Sequence, residues 1–585
     1  MEGFSNSQVA RLLREVAAAY EVRGKDRFRV RAYDKAADSI EHATSEVKDL
    51  WDDGRLQGIP GIGASISQHL DEYFRTGKVR HFEEAKKGLP RAMFALINVP
   101  GIGAKTACKL AKELEISGKT PEAVVCDLKE KAEAGKVHEL EGFGERSEEE
   151  ILKGVSEWEK RTGRMLLPAA WAAAEKVLFE IKKYQAVKRA DPLGSLRRRV
   201  STIGDIDIAI LSSNPKGLID YFTSLPQVRR ILAAGEKKAS VIWEGGRQID
   251  VRVQDEESYG ALLQYFTGSK MHNIHLRKIA NEMGYSLSEY GIKKLKGQKA
   301  KVKTFSTEEE FYEFLGMDWI PPELREDAGE IEAARKHSLP KLVGEKDIEG
   351  DLHSHTTWSD GELSVEELVK EARFLGRKYI GITDHQPSIR TRGIEKVRKL
   401  LEERKEEIHV IDRKYKDIKV FNGVEVDIYA GKNLALPDEL LSTFDYAIAS
   451  VHTSFRQSKS EMTERLLTAL RDPYVKILGH PTGRLLGERE GYEADWREIF
   501  KFCASNKKFL EINAFPSRLD LPDSMVREAR GFGVQFTIGS DAHRREHLAL
   551  LPFGVSVARR GWCGKQDILN TLPVGKLLKR LKSSS

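Results

Sequence analysis

The spacing of apolar positions changes along the chain, and each change marks a different kind of element. From Ser7 to Tyr20, Val9, Leu12, Leu13, Val16, Ala17 and Tyr20 fall at helical intervals and would share one face. Arg27-Phe28-Arg29-Val30-Arg31-Ala32-Tyr33 continues as a basic helix with aromatic punctuation. Leu166 to Tyr184 reads as a connecting helix into a region of period two. There Gly204-Asp205-Ile206-Asp207-Ile208-Ala209-Ile210 alternates, so Ile206, Ile208 and Ile210 face a core and Asp205 and Asp207 share the other side. Val241 to Glu244 and Arg247 to Val253 read as two strands around a Gly245-Gly246 turn. Ile249, Val251 and Val253 point inward there, which places Asp250 with Gln248 and Arg252. From Ile348 onward, short apolar runs end in a polar residue, and helical stretches follow most of them. Seven such runs close on His353, His385, Glu425, His452, His480, Asn513 and Asp541. Alternating strands and helices imply a parallel sheet, repetition at this length implies a barrel, and active groups in barrels gather at the C-terminal strand ends.

Chemistry follows from these placements. Two carboxylates as close as Asp205 and Asp207 repel unless a cation lies between them, and oxygen-only ligands suit Mg²⁺ or Mn²⁺. With Asp250 on an adjacent strand, the set can hold two ions for in-line phosphoryl transfer. Upstream, Gly194-Ser195-Leu196-Arg197-Arg198-Arg199 offers amides, a hydroxyl and guanidinium forks to polyphosphate oxygens. In the N-terminal region Ile59-Pro60-Gly61-Ile62-Gly63 returns as Val99-Pro100-Gly101-Ile102-Gly103 and, more loosely, as Glu141-Gly142-Phe143-Gly144. Each copy precedes a helix and resembles a helix-hairpin-helix turn, whose amides would contact a DNA backbone without reading sequence. In the C-terminal region His353, His355, Asp360, His385, Glu425, His452, His480, Asp541 and His543 form a set of nine candidate ligands. Mixed imidazole and carboxylate donors suit Mn²⁺, Zn²⁺ or Fe²⁺ better than Mg²⁺, and nine ligands suffice for up to three ions. Arg484 and Arg518, past two strand ends, are candidates to hold a substrate phosphate.

The paired Asp residues, the Gly-Ser turn, Asp250 and the later Tyr265-Phe266-Thr267-Gly268-Ser269 phrase, in this order, resemble the palm and thumb of family X DNA polymerases. The His-x-His, Asp-Gly, Asp-His, Gly-His-Pro and Ser-Asp-Ala-His series resembles the polymerase and histidinol phosphatase (PHP) domain, whose members hydrolyse phosphoesters. The fold this implies is multidomain: helical helix-hairpin-helix N-terminal domains, an α+β nucleotidyltransferase palm with thumb, and a C-terminal α/β PHP barrel, distorted and seven-stranded. The expected divisions are a small DNA-binding domain (1–90), a second helix-hairpin-helix subdomain (91–165), palm (166–257), thumb (258–320), linker (321–345), PHP domain (346–575) and basic tail (576–585).

The resemblance implies a gap-filling DNA polymerase of repair with a nuclease, plausibly 3′-5′, in its PHP domain. Its substrates would be gapped or primer-template DNA and deoxynucleoside triphosphates. Asp205, Asp207 and Asp250 would be catalytic and hold two Mg²⁺ or Mn²⁺, and the PHP ligands would hold Mn²⁺ or Zn²⁺. Ser195, Arg198 and Gly204 would lie at the nucleotide, Tyr265, Phe266 and Gly268 along its sugar, and Asn273 and Arg277 near the base pair and template groove. Gly61, Gly63, Gly101, Gly103, Gly142 and Gly144 would approach DNA. The rival reading is a PHP phosphatase acting on a small phosphate ester, with the front half a DNA tether.

Three departures from the family stand out. Arg199 occupies a position usually held by Gly. Gln248 stands where the beta polymerase has Arg. His69 falls at the position of its Schiff-base lysine and Ser65 at that of a supporting lysine, so 5′-deoxyribose phosphate lyase activity is expected to be absent.

Composition adds limits. With 585 residues and a net charge of +6, any DNA-binding surface must be local rather than global. Four scattered cysteines, without a Cys-x-x-Cys, fit a reducing cytoplasm and exclude a disulfide framework. No apolar run is long enough to span a membrane. A cytoplasmic monomer is expected.

Overall fold

The computed structural model describes residues 6–24, 27–41, 47, 51, 56, 61–118, 121–162, 164–295, 301–486, 489 and 491–582. The chain forms two compact units, Met1–Gly163 and Arg164–Ser585.

The first unit is helical. Asn6–Val22 and Arg27–Glu41 bury Val9, Leu13, Val16, Ala36 and Ile40 in one core with Ile66 and Leu70 of Ala64–Thr76. A second core holds Ala107 and Leu110 of Ala104–Glu113, Leu128 of Pro121–Glu133, and Val155 and Trp158 of Glu145–Thr162. All three glycine phrases adopt the same backbone. Gly61, Gly101 and Gly142 have φ of 90°, 84° and 81°, a region open to glycine. Gly63 and Gly103 cap the next helices without any side-chain bond, and a Cβ on Gly63, Gly103 or Gly144 would meet nothing within 4 Å. The helix N-termini therefore stand open to an approaching anion. Ile59 and Pro60 lie outside the described residues.

The second unit begins with a five-stranded sheet: β1 (Val187–Pro192), β2 (Ile206–Ser212), β3 (Val228–Ala234), β4 (Lys238–Trp243) and β5 (Gln248–Gln254). Their order is β1-β2-β5-β4-β3, with β2 and β5 parallel and the other pairs antiparallel. The Gly245-Gly246 turn joins β4 to β5 with φ of 80° and 77°. Tyr259–Thr267, Lys270–Glu282, a hairpin Tyr285–Ser288 with Gly291–Lys294, and Glu308–Phe314 follow around a core of Leu276, Phe305, Phe311 and Tyr312.

The barrel is built from β6 (Gly350–Asp351), β7 (Tyr379–Ile382), β8 (Lys419–Asp427), β9 (Tyr446–Ser450), β10 (Val475–Leu478), β11 (Phe509–Asn513) and β12 (Phe536–Gly539). All seven are parallel and neighbour one another in chain order. The ring closes at the rim beyond the strand ends, where Asp541 N donates to His353 O (3.0 Å) and His355 N to Ala542 O (2.8 Å). Closure there sets the first and last polar ends side by side.

Two segments differ from the sequence expectation. The stretch read as a linker is ordered: Leu324, Ile331 and Ala334 join the core of Phe311 and Tyr312, and Arg325 and Glu330 are fully buried. Two of its charged residues belong to buried ion pairs, Arg325 with Glu308 and Glu330 with His272, while Glu332, Arg335 and Lys336 are exposed. The basic tail is helical over Val574–Lys582 and places Leu577 and Leu581, one turn apart, in a core with Leu352 and Phe421; Ser583 to Ser585 lie outside the described residues. Among the described residues no helix is long and apolar enough to cross a membrane.

Candidate active sites in the palm and the barrel

In the palm, Asp207 and Asp250 are direct register partners on β2 and β5, and Asp205 stands just before β2. Fully buried Ile206, Ile208 and Ile210 fix the pleat that turns these carboxylates the other way. Leu193 N donates to Asp207 O (2.8 Å), bringing the Gly-Ser turn across the strand. A Cβ on Gly194 would lie 3.3 Å from Asp207 Oδ2, and its φ is 57°, so this position calls for glycine. Burial and the charges of Asp205 and Asp250 push Asp207 up to about 8, and burial together with Asp250 raises Asp205. Arg252, and for Asp205 also Arg164, offset this only in part, and a divalent cation would supply the remaining counter-charge. Gln248 occupies the place of the family arginine and donates to Asp250 Oδ2 at 3.0 Å.

The cationic turn is bound into the rest of the unit. Arg197 grips Glu308 at 2.9 and 2.6 Å. Arg198 donates through Nε to Glu326 (3.0 Å) and through Nη1 to Thr267 O. A Cβ on Gly268 would stand 3.1 Å from that same Nη1, so Arg198 and Gly268 face one space. Ser195 lies in the short helix Gly194–Arg197. Gly204 is exposed beside Asp205, and a Cβ there would be 3.6 Å from Arg164 Nη1. Tyr265 and Phe266 meet edge to face at 5.1 Å, and Arg252 stacks on Phe266 at 4.0 Å. Asn273 donates to Tyr265 O (2.7 Å) and accepts from Gln264 (2.9 Å), while Arg277 donates to Asn273 O (3.3 Å).

In the barrel the nine candidate ligands converge. Glu425 sits at their centre: Oε2 lies 3.4, 3.5 and 3.1 Å from His353, His355 and His385, and Oε1 lies 3.5 and 3.0 Å from His452 and His480. Asp541 Oδ1 is 3.2 Å from His355 and 3.7 Å from His353. Asp360 faces His355, His385 and His543 at 3.6, 3.7 and 3.2 Å. Among the described residues three groups could each surround an ion: His355, Asp360, His385 and His543; His353, His355 and Glu425; and His385, Glu425 and His452. His353 Nε2, both ring nitrogens of His355 and His480 Nδ1 are buried without a hydrogen-bond partner. Orphaned imidazole nitrogens facing carboxylates fit metal ions. Burial opposes charge on Glu425 and Asp541, yet the surrounding imidazoles hold both well below the usual carboxylate range.

Of the supporting residues, only Asn513 stands out in the sequence, as a strand end. Glu511 accepts from His353 Nδ1 and from His480 N, both at 2.6 Å, and fixes which nitrogen of His353 faces the cluster. Gly539 allows this, because a Cβ there would lie 2.1 Å from Glu511 Oε1. Asp427 orients His452 through Nδ1 at 2.6 Å. Asn513 Nδ2 donates to Asp541 (3.1 Å) and to Glu511 (3.2 Å). The one available signal was position: Asp427 ends β8, and Glu511 lies two residues before the end of β11. Arg518 Nε lies 3.6 Å from Asp541 Oδ2, on a groove of about 520 Å³ also lined by Phe515, His543 and His547. Arg484 donates to the carbonyls of Arg518 and Leu519, so it shapes the loop that carries Arg518.

Known proteins match these parts separately and together. Family profiles described as a helix-hairpin-helix domain, a DNA polymerase beta thumb and a PHP domain match residues 4–79, 262–326 and 351–515. A Bacillus subtilis protein named DNA polymerase/3'-5' exonuclease PolX is 35% identical over 565 residues, 96% of this chain and 96% of its own length. Probable phosphatases match a smaller part of the chain: one from Thermoanaerobacter sp. is 28% identical over 40% of this chain and 94% of its own length, and one from Caldicellulosiruptor bescii 32% identical over 34% and 82%. Likeness along the whole length, with the palm carboxylates and the barrel cluster both in place, means that the chain belongs to the family X DNA polymerases that carry a C-terminal PHP domain.

Proposed function

We propose that the protein is a DNA-directed DNA polymerase that fills short gaps in DNA repair in the cytoplasm, with a 3′-5′ exonuclease in its barrel. The observation that carries this reading is the gathering of Asp205, Asp207 and Asp250 beside the Arg198 turn, in a chain that also holds the nine-residue cluster. Asp205, Asp207 and Asp250 would hold two Mg²⁺ or Mn²⁺, and the barrel residues up to three Mn²⁺ or Zn²⁺. Divalent ions at such sites supply Lewis acidity that activates an oxygen nucleophile and neutralises phosphate charge. The chain does the positioning. Ser195 and Arg198 hold the triphosphate, Gly204 leaves room beside Asp205, and Tyr265, Phe266 and Gly268 bound the sugar. Asn273 braces the helix that aims Arg277 at the template groove. The open turns at Gly61 and Gly63, Gly101 and Gly103, and Gly142 and Gly144 offer amides to the DNA backbone. In the barrel, Arg518 draws a terminal phosphodiester toward the cluster.

The relatives named probable phosphatases support phosphoester hydrolysis in the barrel, but they leave the palm carboxylates without a role. The test is a gapped substrate with a 5′-labelled primer, with and without deoxynucleotides. Asp205→Ala with Asp207→Ala should abolish extension and leave degradation intact; His353→Ala with His355→Ala should do the reverse. A palm double variant that stays folded yet also loses degradation would refute the two-site reading.

A further inference from the structure

Arg560 ends the helix Leu551–Arg560, which packs on the barrel, but its side chain reaches into the palm. Nη1 donates to the backbone carbonyl of Arg198 (2.8 Å) and to Glu326 Oε1 (3.0 Å). The same Glu326 oxygen accepts from Arg198 Nε at 3.0 Å. On its far side Arg560 pairs with Asp523 at 2.8 Å. Arg198, Glu326, Arg560 and Asp523 thus form a row of alternating charge, in which Arg560 is 8% and Arg198 14% exposed while Glu326 and Asp523 are 32% and 30% exposed. The two guanidiniums are the shielded members, and it is between them that the shared carboxylate oxygen acts.

We infer that Arg560 tunes the palm arginine that holds the incoming triphosphate, so that a residue of the barrel completes the nucleotide site. This rests on the reading of Arg198 given above. Sharing one carboxylate oxygen between two guanidiniums leaves Arg198 with unneutralised positive charge for a phosphate. Without Arg560, the whole anion of Glu326 falls on Arg198 and cancels that charge. The bond to the Arg198 carbonyl also fixes the end of the turn that presents Ser195. Arg560 touches neither substrate nor reacting atoms, so it is a positioning residue. Its effect should fall on nucleotide affinity rather than on the chemical step.

The experiment is steady-state gap filling by the full-length chain with Mg²⁺ and a titrated deoxynucleotide. Arg560→Ala should raise KM for the nucleotide about tenfold, the scale of one charge-assisted hydrogen bond, with kcat changed less than about twofold. Arg560→Lys should recover part of the loss. Arg560→Ala combined with Glu326→Gln should recover most of it, because the stranded anion leaves with its cation. Degradation of single-stranded DNA by Arg560→Ala at the parental rate shows that the barrel is intact; if that variant loses both activities, the lysine and double variants decide instead. If Arg198→Ala leaves KM unchanged, the reading of Arg198 fails. If Arg198→Ala raises KM and Arg560→Ala does not, the present inference alone fails. If the double variant is no better than Arg560→Ala, charge tuning is overturned.

Discussion

Replacing Glu308 by Gln should loosen the join between palm and thumb by a calculable amount. Glu308 is 4% exposed and opens the helix Glu308–Phe314. It accepts from Arg197 at 2.9 and 2.6 Å and from Arg325 Nη1 at 2.6 Å. Arg325 is fully buried, and its Nε is already committed to Ile320 O at 2.8 Å. Burial alone would raise the carboxyl, but Arg325 and Arg197 outweigh it and hold Glu308 at about 2, below its ordinary 4.5. At about 1.4 kcal/mol per unit, that depression is worth about 3 kcal/mol. Removing one partner of a buried ion pair costs about 3–5 kcal/mol by an independent route, and the two agree. The sign follows from the direction of the shift: a depressed carboxylate contributes fully above 4.5, and the contribution fades as pH falls toward about 2. Urea unfolding read by tryptophan fluorescence suits the test, since Trp319 Nε1 donates to Glu308 at 3.4 Å. The variant should lose about 3 kcal/mol at pH 7, and the gap should shrink to less than half at about pH 3. A loss under about 1 kcal/mol at pH 7, or a gap that does not depend on pH, would refute the reasoning.

Three further outcomes are expected. Mg²⁺ should support extension at the oxygen-only palm, whereas degradation should run faster with Mn²⁺ than with Mg²⁺; equal degradation rates would contradict the imidazole-rich site. Glu511→Gln should weaken metal binding by the barrel about 10–100-fold, measured by calorimetric Mn²⁺ titration, and an unchanged affinity would remove its orienting role. Borohydride trapping on a 5′-deoxyribose phosphate end should give no adduct in the first unit. His69, bound to Tyr33 at 3.0 Å and stacked on His81 at 4.8 Å, has no primary amine to form an imine, and a strong adduct would point to a displaced lysine.

The parts of the fold that were legible in the sequence are those governed by short periods. Ile206, Ile208 and Ile210 announce β2 because a half-buried strand repeats every two residues, and the same rule turns Asp207 and Asp250 away from the core of their strands; that the two are register partners is visible only in the fold. The barrel strands were legible because each apolar run is punctuated by one polar residue. Their ligands converge because parallel strands present their ends on one rim. Glu511 and Asp427 looked like ordinary carboxylates in or at the end of a strand, since nothing local tells a ligand from the residue that orients one. The 321–345 segment was misleading for a related reason. Proline and charge usually mark solvated chain, but here the charges face partners far away in sequence, such as Glu330 with His272 at 2.6 Å.

A long-range contact also accounts for the departure at Arg199. The turn needs a left-handed residue there, and Arg199 has φ of 57°. A side chain in that region costs about 1–2 kcal/mol relative to glycine. The guanidinium lies 3.4 Å over the ring of Trp171, a cation–π contact worth about 0.5–2 kcal/mol. Burial still pulls Arg199 below its ordinary value; Glu345 and Glu323, from the segment leading into the barrel, counter this only in part, and Arg559 adds to it. The contact energy is thus of the same size as the strain, so the turn survives without its glycine. Arg559 holds Glu323 at 2.7 Å, next to Arg560 on the same helix. The same helix therefore reaches Arg198 through Arg560, while its Arg559 draws Glu323 away from Arg199. An arginine is tolerated in place of glycine because Trp171, on the helix Leu167–Ile181 of the palm, meets its guanidinium.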